Sequence, residues 1–168
     1  VVVNNTLGLA KYKPPELDKI NIQSTIRQLV EQWKHSPDHQ ENIEISIIVQ
    51  NEMPRIGADA KQLAQVFINL IKNSEEAMPE GGSIKINIED TPEKNSIVID
   101  FKDSGSGIPK ERHDKIFKKF YTSKESGLGL GLAVCDQIIT AHNGTIALNN
   151  RKNGGVCATI RIPYHPYR

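Results

Sequence analysis

The sequence predicts an α+β domain, a two-layer sandwich in which one mixed β-sheet carries its helices on one face. Three observations lead to that fold class. Stripes of helical period and runs of period two alternate along the 168-residue chain. Their order is helix, strand, helix, two strands, helix, two strands, which is not a strict strand–helix alternation. The strands mix apolar and polar residues in turn, so one sheet face is dry and the other partly wet.

Residues 1–17 read as a tail or linker, because Pro14-Pro15 interrupts them and no periodic face develops. The abrupt start leads to the expectation that an upstream segment has been removed and that the domain proper occupies 18–168. Ile22, Ile26, Leu29, Val30 and Trp33 have helical spacing, with Asn21 placed to cap the start. Residues 35–42 are polar and contain Pro37, so they form a loop. Ile43, Ile45, Ile47 and Val49 alternate as a strand. Asp59 and Gln62 resemble a capping box ahead of Leu63, Val66, Phe67, Leu70 and Ile71, the apolar stripe of a helix over 59–78. Pro79 and Gly81-Gly82 end that helix. Ile84/Ile86/Ile88 and Ile97/Ile99/Phe101 make two strands of a hairpin across a turn-rich linker at 90–95. A short helix is expected over 110–117, and a further helix carries Leu130, Val134, Ile138 and Ile139 to a C-cap at His142-Asn143-Gly144. Two last strands, 145–148 and 156–162, flank a turn at 153–155.

Composition removes several classes of function. Lys and Arg number 21 against 20 Asp and Glu, so the net charge of +1 takes away the main electrostatic argument for nucleic acid or an anionic membrane as primary partner. Cys135 and Cys157 lie in apolar surroundings and form no CxxC pair, so buried free thiols are expected rather than a metal site, with a disulfide as the alternative. The apolar runs fall far short of the ~18 residues of a membrane helix. The opening VVVNNT lacks the basic flank of a signal peptide. The cytoplasm is the expected compartment.

Four local features carry candidate chemistry. Gly127-Leu128-Gly129-Leu130-Gly131 enters a helix, where free N–H groups and small residues suit a phosphate; a tight structural turn accounts for it equally. It is not a P-loop, since the chain has no Gly-Lys pair, and Leu132 stands where a dinucleotide fingerprint has its third glycine. Asp103 ends an apolar strand and opens the loop Asp103-Ser-Gly-Ser-Gly-Ile-Pro109. Its half-buried carboxylate needs a donor, either an adenine amino group or the amides of its own turn. Asn69 and Asn73, four residues apart, lie at the margin of the helical stripe and offer oxygens for a hard cation such as Mg²⁺, or simply form a polar edge. Lys124 precedes the glycines, placed to meet a terminal phosphate or to stand in solvent.

Taken together and in order, these segments resemble the nucleotide-binding domain of sensor histidine kinases, within the superfamily of gyrase, heat-shock chaperones and mismatch-repair ATPases. Asn69-Leu-Ile-Lys-Asn-Ser-Glu-Glu-Ala77 is similar to the asparagine box, and Asp103-Ser-Gly-Ser-Gly-Ile108 to the first glycine box. Ile116-Phe-Lys-Lys-Phe-Tyr-Thr-Ser-Lys124 resembles the phenylalanine box with its lid lysine, and Gly127-Leu-Gly-Leu-Gly-Leu-Ala133 the second glycine box. The likeness spans residues 20–163.

The resemblance implies an ATP-binding catalytic domain that transfers the γ-phosphoryl group to a histidine on a separate dimerisation domain. ATP and Mg²⁺ are the implied cofactors. Asp103 would accept from the adenine amino group, with Gly105, Gly107 and Ile108 close to the base. Asn73 would hold Mg²⁺. Gly127, Leu128, Gly129, Leu130 and Gly131 would line the phosphates, Lys124 and Lys119 would steady the outer phosphate, and Thr159 would lie near adenine. Water-activating relatives carry Glu four residues before the metal asparagine; here that residue is Asn69, and an amide cannot act as a general base. This favours transfer to a better nucleophile over ATP hydrolysis.

His35, His39, His113, His142 and His165 do not follow the phospho-acceptor pattern and are expected as surface or cap residues. The resemblance implies further partners: the histidine-bearing hairpin of the same parent, which is either soluble or membrane-anchored, and a response regulator receiver domain. The piece itself is expected to be monomeric. A serine kinase of the same fold and a non-catalytic nucleotide sensor are the alternatives. The lid 120–127 is expected to order on nucleotide.

Overall fold

Isoleucine at every second position builds the centre of this protein. The computed structural model describes residues 13–37, 39–118 and 131–164. Five strands, β2 (Ile43–Gln50), β4 (Gly82–Thr91), β5 (Ser96–Asp103), β6 (Thr145–Asn150) and β7 (Val156–Pro163), form one mixed sheet in the order β2-β4-β5-β7-β6. Only the β2–β4 pair is parallel. Ile84, Ile86 and Ile88, then Ile97, Ile99 and Phe101, then Ala158, Ile160 and Ile162 are buried on one face. The intervening Glu44, Ser46, Lys85, Glu89 and Asn149 are exposed on the other. The expected wet face is present.

Three helices cover the dry face: α1 (Ile22–Lys34), α2 (Ala60–Glu76) and α3 (Gly131–Ala141). Helix α1 forms because Ile22, Ile26, Val30 and Trp33 make one buried stripe and Asn21 accepts from the Ser24 amide at 2.9 Å. Helix α2 buries Leu63, Val66, Phe67, Leu70 and Ile71, and the Phe67 ring stacks on Phe101 of β5 at 5.7 Å. The Trp33 indole N–H donates to the buried Glu75 carboxylate at 3.0 Å, which locks α1 to α2.

The structure departs from the sequence reading in identifiable places. A two-stranded antiparallel pair, β1 (Asp18–Ile20) with β3 (Ile56–Ala58), escaped it, because three-residue strands show no readable period. The capping box at Asp59 is half made: Asp59 accepts from Lys61 and Gln62 amides at 3.0 Å each, but the Gln62 side chain donates instead to the Lys13 carbonyl. The expected helix over 110–117 is a single 3-10 turn, Lys110–Arg112, followed by turns. In the α3 cap, Asn143 takes the left-handed conformation (φ 55°), and Gly144 is required for a different reason, since a side chain there would collide with the Arg161 carbonyl oxygen. Both cysteines are free, but only Cys135 is fully buried; Cys157 is half-buried on the sheet's open face.

His142 closes the end of α3. It is wholly buried, accepts the Asp59 amide through Nε2 at 3.0 Å and donates from Nδ1 to the Ile138 carbonyl at 2.8 Å. It thus ties the C-terminus of α3 to the cap of α2.

Two outcomes follow from these contacts. Burial pushes the Cys135 thiol up to about 12, so little thiolate forms at pH 8. A thiol reagent on the native domain labels Cys157 well ahead of Cys135 by peptide mass mapping; equal labelling contradicts the packing. At Asp59, burial pushes the carboxyl up, but the Gln62, Glu16 and Lys61 amides outweigh it and hold the group below its ordinary value. Its stabilisation is therefore full above the ordinary carboxylate range and fades as acid reaches the lowered value. Asp59→Ala costs about 1 kcal/mol in thermal melts at pH 7, and the gap from the parent protein narrows below about pH 3.9.

Candidate functional site

The buried end of β5 organises the site. Period two along β5 puts Asp103 on the helix-covered face with Phe101, and its side chain is 5% exposed. A carboxylate there is costly unless donors surround it. Its Oδ1 accepts the Gly105 amide at 2.9 Å and the Val156 amide at 3.0 Å. Its Oδ2 accepts the Ser74 hydroxyl at 3.2 Å. The carboxylate thus joins its own loop, the start of β7 and α2. The Arg151 guanidinium adds a bond to the Asp103 carbonyl.

Close approach explains the glycines. A Cβ on Gly105 would lie 2.7 Å from the Ala77 Cβ, and one on Gly155 would overlap the Asp103 carbonyl. Gly107 has φ +81°, and the next residue, Ile108, is held by the Asn150 side chain on both its N–H and its carbonyl at 2.7 Å.

Helix α2 spans the distance from this loop to the start of α3. Asn69 and Asn73 are both half-buried, one turn apart at the edge of the apolar stripe. Asn73 directly precedes Ser74, the residue that holds Asp103. The Asn69 amide nitrogen points to α3, 3.5 Å from the Gly131 carbonyl and 3.7 Å from the Cys135 sulfur. One helix edge therefore touches the aspartate loop at one end and the glycine that begins α3 at the other. Asn69, Asn73, Asp103, Gly105 and Gly131 come together around that edge; Gly107 and Ile108 extend it toward β6.

Thr159 does not join them. It sits opposite Asp100 in the β5–β7 register and donates to the Asp100 carboxylate at 2.7 Å, on the open face of the sheet. Asp103 has the opposite parity on β5, so the two side chains lie on different faces. Thr159, expected near the base, is thus set apart from Asp103 by the sheet. Lys119, Lys124, Gly127, Leu128, Gly129, Leu130 and the lid 120–127 fall outside the described residues.

Ser74, Asn150, Arg151 and Gly155 were missed in the sequence. Ser74 had a signal: it follows Asn73 on the same helix edge. Asn150 and Arg151 had none, since they lie 47 and 48 positions beyond Asp103 in sequence.

Gly105→Ala tests the close packing directly. The added methyl meets Ala77 backbone and side chain together, so the variant loses about 1–3 kcal/mol in denaturant unfolding; a shift under 0.5 kcal/mol contradicts the described loop.

Comparison with known proteins gives the family and the fold. The family described as histidine kinase-, DNA gyrase B- and HSP90-like ATPase matches residues 58–166. Sporulation kinase A of Bacillus subtilis is 34% identical over 97% of this chain and 27% of its own length. Sensor histidine kinase TmoS of Ectopseudomonas mendocina is 31% identical over 96% of this chain and 17% of its own. The chain thus spans about a quarter or less of these relatives. Among solved structures, the nucleotide-free catalytic domain of histidine kinase ThkA superposes with a TM-score of 0.79 at 37% identity, covering 89% of this chain and 96% of that one. ThkA in complex with the response regulator protein TrrA superposes with a TM-score of 0.81 at 34% identity, covering 98% of this chain and 46% of that one. The fold thus recurs with the sequence match, and this chain belongs to the histidine kinase-, DNA gyrase B- and HSP90-like ATPase family.

Proposed function

We propose that this chain is the catalytic domain of a sensor histidine kinase, with residues 18–168 as the domain and 1–17 as its linker. It binds Mg·ATP along the α2 edge and delivers the γ-phosphoryl group to a histidine on a separate dimerisation domain. The observation that carries this reading is Asp103. A carboxylate has roughly four acceptor positions. Among the described residues, two backbone amides and the Ser74 hydroxyl take three of them. The remaining position on Oδ2 suits a single N–H donor such as the amino group of adenine. A rigid carboxylate then reads the base by one bond, and losing that bond leaves a buried acceptor unmet.

Among the described residues no cluster of His, Cys, Asp or Glu builds a metal cage. Mg²⁺ keeps several waters and takes its remaining ligands from phosphates and one or two side-chain oxygens, which fits an asparagine edge. Asn73, half-buried on this edge next to the residue that holds Asp103, is the proposed ligand through its side-chain oxygen. The ion supplies charge neutralisation at the phosphates. The chain's own part is to hold the nucleotide in line. In the transfer, an imidazole nitrogen forms a bond to the γ-phosphorus, the bond to the bridging oxygen breaks, and ADP leaves with the electron pair. Asn69 stands where a water-activating base would be needed, which disfavours hydrolysis. Gly127, Leu128, Gly129, Leu130 and Gly131 are the proposed phosphate contacts, with Lys119 and Lys124 against the outer phosphate.

The relatives' names and the ThkA–TrrA complex support a receiver domain as the downstream partner. No described helix is long and apolar enough to cross a membrane. The proposal places the domain in the cytoplasm, in a soluble or anchored parent. The isolated piece is proposed to be monomeric.

Two measurements test this function. Incubated with γ-labelled ATP, Mg²⁺ and a supplied histidine-bearing helical hairpin from a kinase of this family, the domain labels the hairpin in an acid-labile form; no label in any such pairing, with ATP bound, removes the kinase assignment. In titration calorimetry, Asp103→Asn weakens ATP at least tenfold, about 1.4 kcal/mol. Asn73→Ala abolishes the gain that Mg²⁺ gives. Unchanged affinities in folded variants contradict the assigned roles.

A further inference from the structure

We propose that Asn150 is a positioning residue for base recognition: it clamps the far end of the aspartate loop and so keeps the Asp103 carboxylate aimed. This rests on the ATP-binding reading above. The sheet order β5-β7-β6 places β6 two strands away from β5. The loop leaving Asp103 must therefore cross the start of β7 to reach β6. No strand receives it there, and the Ile108 N–H and carbonyl lack a ladder partner. The Asn150 amide supplies both: Oδ1 accepts from Ile108 N–H and Nδ2 donates to the Ile108 carbonyl, each at 2.7 Å. A side-chain amide offers donor and acceptor side by side, so it imitates one rung of a sheet.

The clamp reaches the carboxylate through the chain. Arg151, the next residue, holds the Asp103 carbonyl at the loop's near end. Asn150 holds the far end at Ile108. Between them lies Gly105, whose amide is one of the three donors to Asp103. Gly107, with φ +81° and its Cα facing the Asn150 amide, allows the chain to turn into the clamp. Asn150 Nδ2 also lies 3.3 Å from the ring nitrogen Nε2 of His113, which links the clamp to the turns after Pro109. Asn150 itself is exposed at the end of an edge strand, so it contributes little to the core. Its cost of removal falls on the loop rather than on global folding.

The test uses ATP and inosine triphosphate, which carries an oxo group in place of the adenine amino group. Calorimetric Kd values are measured for the parent domain, Asn150→Ala and Asn150→Asp, with circular dichroism as the folding control. The parent domain prefers ATP. Asn150→Ala weakens ATP about tenfold and inosine triphosphate much less, so the preference shrinks. Asn150→Asp keeps the acceptor for the Ile108 amide but faces the Ile108 carbonyl with a carboxylate, and it shows the same loss; it carries the test if the alanine variant does not fold. A preference equal to the parent's in the folded variants overturns the positioning role. If the parent domain itself does not discriminate between the two nucleotides, the adenine-reading function of Asp103 fails instead.

Discussion

A buried carboxylate that must be satisfied is the constraint around which this domain is arranged. Asp103 lies on the dry side of the sheet, where an unpaired charge is not tolerated. Among the described residues three donors meet it, and each comes from a different part of the chain: α2, the loop after β5, and the start of β7. The site and the fold therefore stabilise each other. Moving α2 would strip the Ser74 bond, and letting β7 slip would withdraw the Val156 amide. The glycines at 105 and 155 follow from the same demand, because the donors approach only where no side chain stands between them.

The remainder of the architecture keeps α2 in place. Phe67 stacks on Phe101, Trp33 reaches Glu75, and His142 joins the end of α3 to the amide of Asp59. Each of these contacts spans elements far apart in sequence. The helix edge that carries Asn69 and Asn73 is therefore fixed along its length. Preorganisation of this kind suits phosphoryl transfer, where positioning and charge neutralisation carry most of the catalysis.

Much of this was legible in the residues. Period two located β2, β4 and β5, and period 3.6 located α1 and α2, because each of these elements runs for eight residues or more. Short elements were not legible: β1 and β3 have three residues each, and the segment after Pro109 makes only a 3-10 turn. In the site, Asp103 and the asparagines could be found because their position in a strand or helix marks them. Of the two readings of Asp103, the structure shows the Gly105 amide of its own loop in place, and the proposed adenine bond would use the remaining position on Oδ2. Thr159 falls on the other sheet face from Asp103, a parity that sequence reading did not count. Asn150 was invisible, since a clamp between a strand end and a distant loop leaves no periodic trace.

The central claim is that one cleft, bounded by the edge of α2, the loop after Asp103 and the start of α3, receives the nucleotide. Amide and side-chain NMR spectra recorded with and without Mg·ATP test it most directly. The account predicts the largest shifts at Asn73, Gly105, Gly131 and Val156, with Asn21 and Arg55 at the opposite end of the sheet unchanged. Shifts centred on that opposite end, or none at saturating nucleotide, would contradict it.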